Sequence, residues 1–409
     1  AAALYHASET FYLVNGSTCG ILAAVAAATK RGGKLLMARN CHKAAYHAAL
    51  LNNLEVSYLY PAADMTRGLS GAIAPDEVER MLKKDASLRT VLITSPTYDG
   101  VCSDVRRIAE IVHQYDGILI VDEAHGAHFG MHPYFPEHAL TCGADLVINS
   151  VHKTLPSLTQ TALLHVQGMR VDRERLKRFL GMYQTSSPSY VLMAGIDACV
   201  RMLLEHGPEL FDTFAKRLEG LRKQLFCMQA LELVRGKEPE LGAYDYDRSK
   251  ILVATHRSGI AGPELSGMLR SRYRLEMEMD SEHYVTAITT VADTKEGLQR
   301  LAEALAAIDS ELERQPGKPA RPFAAWENEA VLRIGEAAEA GKKSMLLAKS
   351  EGSISAEFVY LYPPGIPLLV PGERISGELL EKLLQYRANG FALEGMADYR
   401  GEEIQIVKA

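Results

Sequence analysis

Between residues 1 and about 200, short unbroken apolar runs alternate with segments of helical length, and this alternation restricts the fold more than any other feature. The runs are Lys34–Ala38, Val56–Leu59, Thr90–Thr94, Gly117–Val121, Leu146–Ser150 and Ala162–Val166. Helix-like stretches at Lys43–Asn52, Pro75–Lys84 and Ser103–Gln114 fall between them. A strand that is apolar on both faces must be covered on both faces, as a parallel strand between two layers of helices is. Pro75 suits the first turn of its helix, and Asp76, Glu77 and Glu79 suit the positive end of that helix. The expected fold class is α/β, with a large domain whose mostly parallel sheet is covered by helices on both faces.

The pattern changes after residue 200. A charged helical stretch, Gly207–Met228, precedes strand signals at Leu231–Arg235, Lys250–Thr255, Arg274–Met279 and Tyr284–Val291. A helix over Thr294–Arg314 follows. This predicts a smaller α/β domain with an antiparallel or mixed sheet. Gln315–Pro322 is proline-rich and reads as a linker. Beyond it lie an Ala/Glu-rich helix, the proline-punctuated stretch Tyr362–Glu373, another helix and a terminal strand. The expected domains are therefore 1–200, 201–314 and 315–409.

Composition excludes several classes of function. The formal net charge is -6, with no basic stripe to engage nucleic acid. The longest apolar run, Ile21–Ala28, is too short to span a bilayer, and the N-terminus lacks the pattern of an export signal. A cytoplasmic protein is expected. Its six cysteines include no Cys-x-x-Cys pair and are expected to stay reduced. Cys19 and Cys41 fall near the candidate site, which leaves alkylation sensitivity open, and nothing marks them as catalytic.

Five groups of residues sit where predicted strands end, which is where ligands gather in open α/β sheets. Asn15-Gly16-Ser17-Thr18-Cys19-Gly20 opens a helix of small residues, and its hydroxyls and free N–H groups can hold an anion. Taken alone it is a plain helix start. Arg39-Asn40-Cys41-His42-Lys43 offers an imidazole able to stack on a planar ring. Ser95-Pro96-Thr97-Tyr98-Asp99-Gly100-Val101 adds polar groups. Asp122 closes an apolar run, and a carboxylate buried there needs a cationic partner such as a protonated pyridine nitrogen. Lys153, in Ser150-Val151-His152-Lys153-Thr154, suits a partly desolvated nucleophilic amine. Asp122-Glu123-Ala124-His125 matches a helicase box by letters, but no phosphate loop accompanies it. His125, His128 and His132 are interrupted by Gly126, Gly130 and Pro133, so no metal site is expected. Together the groups supply a phosphate cradle, a stacking ring, an acid and a Schiff-base lysine, the set that pyridoxal 5'-phosphate requires.

With those motifs the chain resembles pyridoxal-phosphate enzymes of the aspartate-aminotransferase superfold (fold type I). More narrowly, it resembles the bacterial ornithine/lysine/arginine decarboxylase family. His165-Val166-Gln167-Gly168, Thr185-Ser186-Ser187-Pro188-Ser189-Tyr190, Ala243–Asp247 and Tyr362–Glu373 extend the resemblance over nearly the whole chain. It implies decarboxylation of arginine, lysine or ornithine to the amine and CO2 through an external aldimine on Lys153, with arginine or lysine foremost. It also implies that Ser17, Thr18, Ser150 and His152 hold the phosphate, and that Asp122 pairs with the ring nitrogen. Ala124 would pack under the ring and His42 over it, with His125 beside the cofactor. Thr185 or Ser186 would reach the phosphate of a neighbouring subunit in a homodimer. Thr97 and Glu373 are the implied substrate contacts. Family members carry an N-terminal arm ahead of the phosphate loop, whereas Ser17 comes early here. Rival readings are an aminotransferase or lyase on the same scaffold, and a catalytically silent binding or regulatory protein. The absence of an obvious arginine for an α-carboxylate favours decarboxylation over transamination.

Overall fold

The fold is taken from a computed structural model that describes residues 1–317, 320–322 and 326–408. Seven strands form the main sheet: β1 (Glu9–Leu13), β2 (Lys34–Ala38), β3 (Glu55–Leu59), β4 (Thr90–Thr94), β5 (Ile118–Asp122), β6 (Leu146–Ser150) and β7 (Ala162–Val166). Their order is β1-β7-β6-β5-β4-β2-β3. Only β7 runs against its neighbours; β2, β3, β4, β5 and β6 are parallel. Every residue of β6 and β7 is buried, as their continuous apolar sequences require. The strand absent from the sequence reading is β1. Only Leu13 of its five residues is fully buried, so this edge strand shows no apolar run.

Helix α1 (Gly16–Ala28) follows β1 and lies against the sheet. A Cβ at Gly20, in the second turn of α1, would come 2.7 Å from Leu13 Cδ1 and 3.2 Å from Ile148 Cγ2, so a larger residue there would force these side chains to shift. Helix α2 (Lys43–Leu51) follows β2, and α3 (Val105–Gln114) precedes β5. The boundary expected at residue 200 falls inside α4 (Tyr190–Leu225), a single helix of 36 residues that also passes through Pro208.

The second sheet contains β8 (Glu232–Leu233), β9 (Lys250–Ala254), β10 (Met279–Asp280) and β11 (Tyr284–Ile288), in the order β8-β9-β11-β10 and wholly antiparallel. The strand expected over Arg274–Met279 is shorter, because the preceding helix ends with Arg274 in the left-handed region at φ 55. A separate apolar core, including Trp326, Leu347, Leu368, Leu383 and Ile404, organises the C-terminal region. Residues 318 and 319 of the expected linker lie outside the described residues. The C-terminal region returns to the main sheet beside β2: the Lys43 N–H donates to the Gly365 carbonyl at 2.9 Å. No described helix is long and apolar enough to cross a membrane.

Candidate active site

A cavity of about 310 Å³ opens at the carboxyl ends of the parallel strands. Its lining comes from five strand ends and from the Tyr362–Ile366 loop. Ser17 and Thr18 stand in the first turn of α1, whose N-cap Asn15 makes no side-chain cap bond. The Ser150 hydroxyl at the end of β6 donates to the Ser17 hydroxyl at 3.0 Å. One side of the cavity thus joins two hydroxyls to a helix N-terminus, which is chemistry for an anion. His152 also lines it; its Nδ1–H donates to the Thr161 carbonyl at 2.8 Å, which fixes the ring.

The end of β5 assigns each side chain of Asp122-Glu123-Ala124-His125 a different task. Asp122 lines the cavity, and its Oδ1 accepts the Ala124 N–H at 3.1 Å. Burial raises the Asp122 carboxyl, and Lys153 opposes that shift. Glu123 turns away and ties β5 to β6. It accepts the Ala139 N–H at 2.9 Å and the Asn149 side-chain N–H at 3.0 Å, and it pairs with His138 at 2.8 Å. Ala124 is small and buried at the cavity wall. His125 Nε2 lies 3.0 Å from Lys153 Nζ, and its ring packs 4.6 Å from that of Tyr98. Burial lowers the Lys153 pKa, with Asp122 and Glu278 opposing. His42 caps α2 by accepting the Ala44 N–H at Nδ1, 3.2 Å away. Burial, with Lys153 and Lys43 nearby, brings its pKa down to about 3, so the ring is neutral. A desolvated amine, a buried carboxylate and an anion cradle therefore share one cavity.

Residues 1–243 match the family described as Orn/Lys/Arg decarboxylase, major domain, and residues 330–393 match the C-terminal domain of the same family. The chain belongs to the Orn/Lys/Arg decarboxylase family. It is a carboxy-lyase that acts on a basic amino acid. It is 30% identical over 412 residues to arginine decarboxylase of Bacillus subtilis (strain 168), covering 100% of this chain and 84% of that one. It is 30% identical over 413 residues to arginine decarboxylase of Halalkalibacterium halodurans, again covering 100% of this chain and 84% of the other. The constitutive lysine decarboxylase of E. coli shares the fold, with a TM-score of 0.83 at 19% identity over 100% of this chain and 71% of that one.

In this decarboxylase Ser17, Thr18, His42, Asp122, Ala124, His125, Ser150, His152 and Lys153 all line the one cavity. Four other candidates lie elsewhere. Thr97 is buried in a turn, where its hydroxyl accepts the Val101 N–H at 3.1 Å; its neighbours Pro96 and Tyr98 reach the cavity instead. Thr185 and Ser186 are exposed in a separate groove with Phe11, Tyr12 and Met193. That groove adjoins the start of α1, because the Thr185 N–H donates to Asn15 Oδ1 at 3.2 Å. Glu373 does not line the cavity of this chain. It is buried, accepts from Asn328 and from the Val370 N–H at 2.9 Å each, and stands 3.6 Å from Arg39. In this chain Glu373 is an interior carboxylate with three donors around it, the arrangement of a buried counter-ion to Arg39.

Cys19 and Cys41 are both buried, and burial pushes their thiols up to about 11 and about 12. The thiolate is the species that reacts, so burial disfavours alkylation of both. His128 lies 3.1 Å from Asp247, and His132 Nδ1 accepts the Tyr134 N–H, so both are engaged within the fold. Three further residues were given no role in the sequence reading. Glu278 accepts the Tyr98 hydroxyl at 2.8 Å. Gln160 lines the cavity and donates to the Val14 carbonyl. Lys250 opens an apolar strand and gave no sign of its place: its Nζ lies 3.1 Å from His125 Nδ1.

Proposed function

We propose that this decarboxylase works with pyridoxal phosphate held in the cavity and takes arginine as substrate, with lysine next. The observation that carries the cofactor reading is the meeting of Lys153, Asp122 and the Ser17–Ser150 hydroxyl pair in one cavity. That donor set fits the group. Ser17, Thr18, Ser150, His152 and the N–H groups of α1 would hold the phosphate. Asp122 would hold the proton of the ring nitrogen by a charge-assisted hydrogen bond, which also answers the cost of burying its charge. Ala124 leaves room for a flat ring, His42 offers a neutral stacking face, and Lys153 is the Schiff-base lysine. When bound, pyridoxal phosphate supplies an electron sink for the pair released as CO2 departs.

The protein's own contribution is orientation and proton placement. Asp122 would keep the ring nitrogen protonated, and its effect would be felt most where charge develops. The neutral His42 cannot repel a cationic substrate. Glu278 is the acid of this chain placed to meet the cationic end: it bonds Tyr98 at the cavity wall and acts electrostatically on Lys153. Similarity to arginine decarboxylases over the whole chain supports arginine. The same reading makes the protein a cytoplasmic homodimer in which Thr185 or Ser186 completes the partner's phosphate site; six unpaired cysteines and an exposed groove beside the phosphate loop support it. The test is CO2 release from arginine, lysine and ornithine in turn, with pyridoxal phosphate supplied. Arginine should be turned over fastest. Faster turnover of ornithine or lysine would overturn the substrate assignment, and keto-acid formation without CO2 would overturn the reaction.

A further inference from the structure

The imidazole of His42 is held at two opposite edges, by two distant parts of the chain. At one edge Nδ1 accepts the Ala44 N–H at 3.2 Å, the cap of its own helix. At the other stands Gly365, from the C-terminal region. A Cβ on Gly365 would come 3.1 Å from His42 Cδ2 and 3.2 Å from His42 Nε2. It would also come 3.1 Å from Tyr362 Cδ2. An ordinary carbon contact is about 3.5–4.0 Å, so a side chain at position 365 would press on the ring. The backbone agrees, because Gly365 has φ 76, in the left-handed region that glycine enters at no steric cost.

This contact belongs to a longer clasp. The Lys43 N–H donates to the Gly365 carbonyl at 2.9 Å, and the Gly365 N–H donates to the Leu361 carbonyl at 2.9 Å. Lys43 Nζ donates to the Tyr360 hydroxyl at 3.0 Å and lies 4.4 Å from the centre of that ring. Arg39 reaches the carbonyls of Pro367 and Leu368. The stretch Arg39–Lys43 is thus bound along its length to residues 360–368, which belong to a region with its own apolar core. Pro364 and Ile366 line the cavity on either side of Gly365 in the chain.

We infer that Gly365 is a positioning residue that sets where the His42 ring stands, so that the C-terminal region shapes the cofactor site through this imidazole. The inference rests on the reading of His42 as the stacking face. The glycine has no side chain to push, and the clasp keeps its backbone against the ring. A methyl there would displace the ring by a few tenths of an ångström. Ring stacking depends on separation and offset, so that displacement weakens it.

The test is the binding of pyridoxal phosphate to the full chain prepared without it, and it needs no turnover. Titration gives the dissociation constant, and visible circular dichroism reports the setting of the bound ring. The proteins compared are the parent, His42→Ser, Gly365→Ala and the double variant. Serine removes the ring and keeps a good helix cap. His42→Ser should weaken binding about threefold to tenfold, the scale of one stacking contact. Gly365→Ala should weaken binding about threefold and alter the dichroism when the ring is present. It should do neither when serine replaces His42, because the effect passes through the ring. Gly352→Ala is the control for backbone strain: Gly352 has φ 75, and no atom lies within 4 Å of an added Cβ. It should lower the urea midpoint read from Trp326 and leave cofactor binding as in the parent.

Three results would overturn the inference: no effect of Gly365→Ala, an equal effect with and without the His42 ring, or an equal loss in Gly352→Ala. If Gly365→Ala does not fold, Tyr360→Leu loosens the same clasp through Lys43. Weaker cofactor binding confined to the protein that keeps His42 is then expected, and unchanged binding overturns the inference. Parent-like binding and dichroism in His42→Ser would instead overturn the stacking role of His42 itself.

Discussion

Replacing Glu373 with alanine should damage the fold and leave substrate recognition alone. Arg39 and Glu373 are 1% and 4% exposed, with their charged atoms 3.6 Å apart. The guanidinium also donates to Tyr46 and to the carbonyls of Pro367 and Leu368, so it staples the end of β2 to the C-terminal region. Removing one member of a buried ion pair leaves the other charge without its counter-ion and costs about 3–5 kcal/mol. Glu373→Gln keeps an acceptor for Asn328 and Val370 and should cost less, about 1–2 kcal/mol. Pairing Arg39→Met with Glu373→Ala should cost less than the two single changes together, because no lone charge remains. The chain's single tryptophan, Trp326, lies in the C-terminal core, so its fluorescence in urea reports this region directly. A Glu373→Ala protein with an unshifted urea midpoint and a raised KM for the basic amino acid would refute the structural role and put the carboxylate on the substrate.

Other consequences are open to measurement. Asp99 is buried with Oδ1 unpartnered, and burial pushes its carboxyl up to about 7 against the pull of Tyr284 and Lys250. A raised carboxyl favours the fold when protonated, so its contribution is complete below about pH 4 and is lost as pH rises to about 7. The loss is at most roughly 4 kcal/mol, at about 1.4 kcal/mol per unit. Asp99→Asn should flatten that part of the stability curve, and an identical slope in the variant would count against it. Iodoacetamide should label the exposed Cys227 well before Cys19 or Cys41, as peptide mass would show; early loss of Cys41 would contradict its burial. Glu278→Gln should raise KM for arginine about tenfold with kcat changed less, the scale of one charge-assisted contact of about 1.4 kcal/mol. An unaltered KM would remove Glu278 from the substrate site.

The sheet was legible because its central strands are apolar on both faces, a pattern that does not depend on distant residues. The cavity was legible for the same reason: His42, Asp122 and Lys153 each follow a strand that can be read locally, and parallel strands end on one side, whereas Ser17 was picked out by its own glycine and hydroxyl motif. What escaped depends on tertiary context. Strand β1 is an edge strand whose exposed residues break the apolar signal. Helix α4 runs through Pro208, a residue that ends most helices, because Phe211, Phe214 and Leu218 bury the turns beyond it. The pairing of Glu373 with Arg39 escaped because an acid in a proline-rich loop carries no mark of a buried arginine 334 positions earlier in the sequence. Lys250 looked like an ordinary strand start; only the packing of the second sheet against the end of β5 brings it to His125.

The central claim is that one amine, that of Lys153, engages pyridoxal phosphate in the cavity. Borohydride reduction of the loaded protein, followed by digestion and peptide mass, measures this directly. The account predicts a single pyridoxyl-modified lysine at position 153, with both the modification and CO2 release lost in Lys153→Ala. A modified Lys250 or a modified surface lysine, with residue 153 untouched, would contradict it.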